Sequence, residues 1–297
     1  MRVLVTGGRG FLGGHVVTEL ERRRHEVSAP SHADYDLRDE DQAAAAILES
    51  KAEAVVHLAA NVGGIWANAT RPGELFYDNA MMGLQVMEQA RLAGVRKLVN
   101  VGTACSYPQD APLPLCEREL WNGYPEPVTA PYGMAKKMLA VMGEAYWHQY
   151  GFDTTYLIPS NLYGPGDHFG GEEAHVIPML IRRFLEGGDV TLWGTGTPTR
   201  DFLYVEDAAR AIAAAAETRT GPEPINIGSG RETSIREVAE LIAGLTGYDF
   251  ERVRWDTSKP DGARRRLLDV SEAATLLRWY PRTPLELGLK LTIEAHQ

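Results

Sequence analysis

Met1-Arg2-Val3-Leu4-Val5-Thr6-Gly7-Gly8-Arg9-Gly10-Phe11-Leu12-Gly13-Gly14 begins the 297-residue chain, and the fold is decided by how it is read. Met1 to Val5 reads as a short buried strand and Thr6 to Gly14 as a turn. His15 to Arg23 then has helical spacing, with Val16, Val17 and Leu20 apolar. Both G-x-x-G-x-x-G (Gly7, Gly10, Gly13) and G-x-G-x-x-G (Gly8, Gly10, Gly13) can be read across the turn. Glycines let the backbone approach a pyrophosphate, and a helix N-terminus offers free N–H groups and a partial positive charge. A dinucleotide site is therefore expected here, with Gly7, Arg9, Gly10, Phe11, Leu12 and Gly13 against the cofactor.

Working outward, strands are expected at Glu26–Ser28, Ala54–Ala60, Lys97–Val101 and Asp153–Ile158. Helices are expected at Gln42–Leu48, Asn79–Ala93 and Tyr132–Tyr150. Strands alternating with helices predict an α/β fold with a parallel, doubly wound sheet of the Rossmann type. After about Gly164 the alternation weakens. Helices at His175–Glu186, Val205–Glu217 and Ser234–Leu245 are separated by short strands at Val190–Trp193 and Pro224–Ile227. Thr233-Ser234-Ile235-Arg236-Glu237 carries a capping-box pattern. The expected division is a dinucleotide-binding domain over 1–164, with later segments near 202–230 crossing back to it. The remainder, 165–297, is expected to be mainly a smaller C-terminal α/β substrate lobe.

Thirty Lys and Arg against forty Asp and Glu give a net charge of −10, which argues against a nucleic-acid or anionic-membrane binder. Two cysteines, Cys105 and Cys116, are too few for a disulfide framework, so a reducing cytoplasm is expected. No apolar run approaches the ~18 residues of a membrane span, and the first residues lack a signal-peptide pattern. The histidines show no metal-ligand spacing, and no metal is expected.

NAD binders usually place an acid at the end of the second strand, where it takes the ribose hydroxyls. Here that region is Val27-Ser28-Ala29-Pro30-Ser31-His32, and the first acid, Asp34, comes late. With no carboxylate expected to repel a 2′-phosphate, Arg9, Ser31 and His32 can accept one, so NADP(H) is the expected cofactor. Asp36, Leu37, Leu58, Ala59 and Ala60 complete the expected cofactor contacts.

Tyr132-Gly133-Met134-Ala135-Lys136 places a phenol and an ammonium at i and i+4, on one helix face. A nearby ammonium is expected to lower the phenol below its usual pKa of ~10 and make it a usable acid or base at a carbonyl. Thr103, just after the fourth strand, can offer a second hydroxyl to the same oxygen.

Thr6 to Gly13, Thr103, Tyr132 and Lys136 together resemble the extended short-chain dehydrogenase/reductase family. That resemblance implies a nucleotide-binding N-terminal domain and a nucleotide-sugar C-terminal domain. It also implies Tyr132 as general acid, with Lys136 on the nicotinamide ribose and the tyrosine. Narrower stretches resemble the branch that epimerises and reduces GDP-4-keto-6-deoxymannose with NADPH. They include Asn61-Val62-Gly63-Gly64-Ile65, Gly102-Thr103-Ala104-Cys105-Ser106-Tyr107-Pro108, Asn161-Leu162-Tyr163-Gly164-Pro165 and His175-Val176-Ile177-Pro178. Further along come Trp193-Gly194-Thr195-Gly196-Thr197-Pro198-Thr199-Arg200-Asp201-Phe202-Leu203 and Ser258-Lys259-Pro260-Asp261-Gly262.

A 4-keto sugar has acidic C–H bonds at C3 and C5, and inversion needs a base on one face and an acid on the other. A thiol and an imidazole straddle neutrality and suit that task. By resemblance, Cys105 and His175 are that pair. Asn161, Arg183, Trp193, Arg200 and Lys259 are expected to contact the nucleotide sugar, GDP-linked by resemblance, with UDP and dTDP open. A homodimer through the helices at 79–93 and 132–150 is the family's habit. Two other readings remain: an NAD-containing nucleotide-sugar 4-epimerase without net redox, and a non-catalytic NAD(P)-binding sensor.

Overall fold

Alternate residues of the first strand face two different apolar layers. β1 (Arg2–Thr6) sends Val3 and Val5 into one and Leu4 into the other, as the two-residue period of a strand requires. The computed structural model of the chain describes residues 1–170, 174–218, 220–259 and 261–297. Pro260 of the 258–262 stretch therefore lies outside the described residues.

The chain continues through α1 (Phe11–Arg22), β2 (Glu26–Ser28), α2 (Glu40–Ser50), β3 (Ala54–His57), α3 (Ile65–Thr70) and α4 (Pro72–Leu92). Then come β4 (Lys97–Val101), α5 (Ala130–Tyr150), β5 (Asp153–Pro159), β6 (Asn161–Tyr163), α6 (Val176–Glu186), β7 (Val190–Trp193) and β8 (Thr199–Tyr204). The last third holds α7 (Val205–Glu217), β9 (Pro224–Ile227), β10 (Glu232–Ser234), α8 (Ile235–Thr246), β11 (Val253–Asp256), β12 (Arg265–Arg266), α9 (Ser271–Leu277) and α10 (Leu285–His296).

Six strands form one parallel sheet in the order β2-β1-β3-β4-β5-β9. One face packs on α1, α7 and α9. Ala208, Ala209, Ala211, Ala213, Ala215 and Ala216 let α7 lie close against it. The other face packs on α2, α4 and α5, through Ile47, Val86, Met87 and Leu139 among others. Each large aliphatic buried in these layers contributes about 1.5–3 kcal/mol. The order reverses between β1 and β3, and ligands of open α/β sheets bind outside the carboxyl ends at such a reversal.

A second core joins α6, α8 and α10 through Leu180, Ile181, Phe184, Val238, Ile242 and Ile293. Around it lie the β10-β8-β12 sheet, with β6 paired to β8, and the parallel pair β11-β7. Asp207, fully buried at the start of α7, accepts hydrogen bonds from the backbone N–H groups of Arg282 and Thr283, both at 2.9 Å. Those bonds fix the path into α10.

Several boundaries differ from the sequence expectation for physical reasons. α1 starts at Phe11, because Gly10 takes the extended backbone of an N-cap. α4 starts at Pro72, seven residues before the predicted Asn79. Proline suits the first helical turn, where its missing N–H leaves nothing unpaired. His175 is the N-cap of α6 and not its first residue. β8 was not anticipated, since Arg200 and Asp201 interrupt its apolar run. The capping box forms as read: Ser234 N donates to Glu237 Oε2 at 2.7 Å, and Glu237 N donates to Ser234 Oγ at 3.1 Å. No described helix is long and apolar enough to cross a membrane.

Candidate functional site

The turn after β1 is shaped by contact with the loop after β3. Gly7 has φ +70°, and a Cβ there would meet Ala59 N at 2.7 Å; a Cβ on Gly13 would run into Gly7 O. Gly10 N donates to Gly7 O at 3.0 Å, closing the turn. Gly10 caps α1 without a side-chain hydrogen bond, and no acid lies in the first turn. Phe11 and Leu12 form that turn. The uncapped N–H groups and the helix dipole therefore face the crevice, and these residues fit a pyrophosphate. Leu58, Ala59 and Ala60 follow β3, with Leu58 N donating to Thr6 O at 3.1 Å.

The far end of this cradle corrects the sequence argument for the cofactor. Asp34 is not remote from Arg9 and Ser31. Its Oδ2 accepts from both Ser31 N and Ser31 Oγ at 2.7 Å, and Arg9 Nη2 lies 3.8 Å away. The Ser31 bonds and Arg9 hold the Asp34 carboxyl below the usual range. Asp36 is gripped by Arg38, at 2.7 Å from Nη2 to Oδ2, which holds its carboxyl down at about 2. The Leu37 side chain belongs to the core, so only its backbone can reach a ligand. His32 sits near enough to Asp36 to help lower it.

Thr103, two residues past β4, caps a short 3-10 turn, its Oγ1 accepting from Cys105 N at 3.2 Å. Tyr132 lies in the first turn of α5. Burial of its phenol pushes the pKa well above the ordinary range, opposed by a hydrogen bond with Thr103. Lys136, one helical turn on, is 2% exposed, and burial presses its ammonium down to about 8. The phenol is thus not lowered as the sequence led one to expect: desolvation sets the direction of its shift. The result is a protonated phenol at neutral pH, which suits a proton donor. Among the described residues no carboxylate pairs with Lys136. Its neighbour is His57, fully buried at the end of β3, which burial and the Lys136 charge press down to about 3. His57 Nδ1 bonds Thr6 Oγ1 at 2.8 Å, and its Nε2 has no partner. A buried ammonium beside a neutral imidazole fits the hydroxyls of a cofactor ribose.

Cys105 is half-buried, and Arg266 Nη1 donates to its Sγ at 3.5 Å. Cys105 is also close enough to Tyr132 and Arg200 to act on both electrostatically. So Thr103, Cys105, Tyr132 and Arg200 are brought to one place. His175 is not joined to them by any hydrogen bond or ion pair among the described residues. Its side chain is 58% exposed, with Nδ1 3.5 Å from Asp167 Oδ1, and that carboxylate raises its pKa.

The remaining expected residues divide. Arg200 Nη1 donates to Thr199 O and Ala263 O, both at 2.7 Å, and burial lowers its pKa. Asn161 Nδ2 donates to Asp201 O at 3.1 Å. Lys259 Nζ sits 5.5 Å over the ring of Trp193, which is 68% exposed. Arg183 Nη1 donates to Thr191 O at 2.9 Å, within its own lobe.

Four residues escaped the sequence reading: His57, Glu126, Asp167 and Arg266. Only His57 had a local signal, a histidine closing an apolar strand. The others act through partners 8 to 161 positions away.

With this geometry in hand, the chain can be set beside known proteins. Residues 3–228 match the NAD dependent epimerase/dehydratase family. The chain is 39% identical over 299 residues to a GDP-L-fucose synthase of Sinorhizobium fredii, covering 99% of this chain and 95% of that one. Among solved structures it is similar to a GDP-L-fucose synthetase from Naegleria fowleri bound to NADP, at 30% identity and a TM-score of 0.89, covering 99% and 91%. It is also similar to a UDP-glucose 4-epimerase from Thermotoga maritima with UDP-glucose, at 31% identity and a TM-score of 0.91, covering 100% and 98%.

Proposed function

This chain belongs to the NAD dependent epimerase/dehydratase family, and on that premise we propose that it is an NADPH-dependent epimerase and reductase of a GDP-linked 4-keto-6-deoxyhexose. The observation that carries the reading is the gathering of Thr103, Cys105 and Tyr132 at the carboxyl end of β4. A plain reductase needs the two hydroxyls; the thiol beside them is what epimerisation adds.

In this reading Cys105 removes the proton from C3 or C5, and His175 returns one to the opposite face. Thr103 and Tyr132 hydrogen-bond the C4 oxygen and stabilise the enolate, the logic of an oxyanion hole. When bound, NADPH supplies a hydride to C4. Tyr132 then gives its phenolic proton to the C4 oxygen, yielding the alcohol. Lys136 holds the nicotinamide ribose. Gly7, Gly10, Gly13 and the first turn of α1 take the pyrophosphate, and Arg9, Ser31 and His32 the 2′-phosphate. Asp36, Leu37 and Leu58 to Ala60 line the adenosine and ribose path. Asn161, Arg183, Trp193, Arg200 and Lys259 take the nucleotide sugar.

The proposal divides the chain into a cofactor domain over 1–164, joined by segments near 202–230, and a substrate lobe over the rest of 165–297. It includes a cytoplasmic homodimer. Exposed Phe76 and Tyr77 on α4 and Val141 on α5 give that dimer an apolar face, and light scattering on the purified protein tests it.

Turnover of GDP-4-keto-6-deoxymannose against its UDP and dTDP counterparts, with NMR of the product, tests the activity. NADPH consumption and an inverted 4-hydroxy sugar are expected with the GDP substrate. Tightly held NAD surviving purification, with no net redox, would identify a 4-epimerase instead. Binding without turnover would identify a sensor.

A further inference from the structure

β12 is two residues long, yet it is held from both sides. Arg265 and Arg266 pair with Thr199 and Arg200 of β8. Immediately after it, Leu115 N donates to Leu267 O at 2.8 Å, and Asp269 N donates to Leu115 O at 3.0 Å. The strand therefore straps the second core to the loop that follows β4. Strand alternation then separates its two arginines. Arg265 turns to Glu232, at 2.9 Å from Nε to Oε1. Arg266 turns to the Cys105 thiol, 3.5 Å from Nη1 to Sγ, while its Nη2 donates to Glu126 Oε2 at 2.9 Å.

We propose that Arg266, steadied by Glu126, is a positioning residue that holds the Cys105 sulfur and favours its thiolate form. The inference rests on the epimerase reading above, because a base that removes a C–H proton must be deprotonated first. Among the described residues, four charged or titratable groups face the sulfur. They are Arg266 from β12, Arg200 from β8, Tyr132 from α5, and Glu126, from the loop before α5, through Arg266. Tyr132 is neutral at working pH, so two guanidiniums stand against one carboxylate. The surplus positive charge favours a sulfur anion. Arg266 also has the geometry of a donor: one guanidinium edge is tied to Glu126 and the other is aimed at the thiol. Glu126 has two opposed effects, fixing the guanidinium while cancelling part of its charge. On the other side, Asp167 raises His175.

The test is the pH dependence of iodoacetamide alkylation at Cys105, in a Cys116→Ser background so that a single thiol reports. Arg266→Gln should move the alkylation midpoint up by about one pH unit. Glu126→Gln keeps an acceptor for Arg266 but removes the opposing charge, so it should move the midpoint down. Arg266→Lys should stay near the parent. Solvent deuterium exchange at C3 and C5 of the GDP-4-keto sugar should fall in Arg266→Gln at neutral pH and recover as the pH is raised. An unchanged alkylation midpoint in Arg266→Gln, with only KM for the sugar altered, would overturn the proposal. If that variant does not fold, by circular dichroism, Glu126→Gln decides: an upward shift or none overturns it. The parent separates this from the broader reading. Alkylation shifts in a protein that catalyses no exchange would sink the epimerase assignment and leave the Arg266 coupling standing. Exchange without alkylation shifts would do the reverse.

Discussion

Tyr132 and Lys136 lie on a helix of the larger, inner core, and His175, Trp193 and Lys259 on the smaller, outer lobe, under opposite physical conditions. Lys136 is 2% exposed, on a helix packed against the six-stranded sheet. His175 and Trp193 are more than half exposed, on elements of the smaller core. On the inner side desolvation sets the chemistry: it raises the phenol and presses the ammonium down to about 8. On the outer side a neighbouring charge does so, since Asp167 raises His175 against a smaller effect of burial. Interactions on the inner side are little screened, whereas those on the outer side are weakened by water and salt. Substitutions inside should therefore cost more than substitutions outside.

The largest effect is expected at the centre of the inner side. Tyr132→Phe keeps the ring and removes the proton donor. Reduction at C4 should fall by roughly 10²–10⁴-fold, the usual worth of a general acid, with NADPH binding near normal. Stopped-flow hydride transfer checks this. A variant retaining more than about a third of the parent rate, with chemistry rate-limiting, would place the proton donor elsewhere.

Cys105 stands where the two sides meet, so Cys105→Ser should separate two chemistries. A hydroxyl of similar size packs as the thiol does but is far less acidic. Deuterium exchange at C3, C5 or both should be lost, by an amount comparable to removing a general base, ~10²-fold or more. Slow NADPH oxidation should persist, giving an unepimerised or half-epimerised sugar. Exchange at the parent rate at both carbons would make Cys105 a packing residue and leave a 4-reductase.

What the sequence disclosed follows the same inner and outer division. β1, the glycine turn and α1 follow one another over residues 2–22, and Tyr132 and Lys136 are i, i+4 neighbours, so local spacing reveals them. The outer side is assembled from distant pieces. Arg266 meets a cysteine 161 positions away, and Glu126 reaches Arg266 across 140. Neither partner carries a local pattern that announces the other. Even on the inner side, spacing showed that Tyr132 and Lys136 share a face, but the sign of the phenol's shift depended on burial. That burial is a property of the packed sheet and not of the helix alone.

On the outer side, Asp167→Asn removes the main cause of His175's raised pKa. A raised value keeps the imidazolium present to higher pH, so an acid at this position fails only as pH rises through it. Without the carboxylate the imidazole should lose its proton earlier, since burial then acts alone and lowers it. The alkaline limb of deuterium exchange should move to lower pH, with little change in acid solution. If the limb stays in place, His175 does not set it.

The smallest effect is expected where the cofactor cradle opens to water, at Asp34. The sequence suggested that no carboxylate would oppose a 2′-phosphate there, yet Asp34 bonds Ser31 and lies beside Arg9. Both side chains of that ion pair are largely in solvent, 69% exposed for Arg9 and 50% for Asp34, so the pair itself is weak. Its consequence differs in sign between the two cofactors. A 2′-phosphate must take Arg9 from Asp34 and then sit near a like charge. A 2′-hydroxyl instead gains an acceptor. Asp34→Asn should therefore tighten NADPH by roughly two- to fivefold and weaken NADH. Arg9→Ala should weaken NADPH by roughly two- to fivefold, since a contact this exposed is screened by water and salt, and leave NADH nearly unchanged. Titration of both cofactors against both variants gives four affinities, whose pattern decides. Parallel changes in NADPH and NADH for Asp34→Asn would mean that the aspartate merely shapes the turn through Ser31. Opposite changes would make it a group that sets cofactor preference, in a place where its distance along the chain had suggested none.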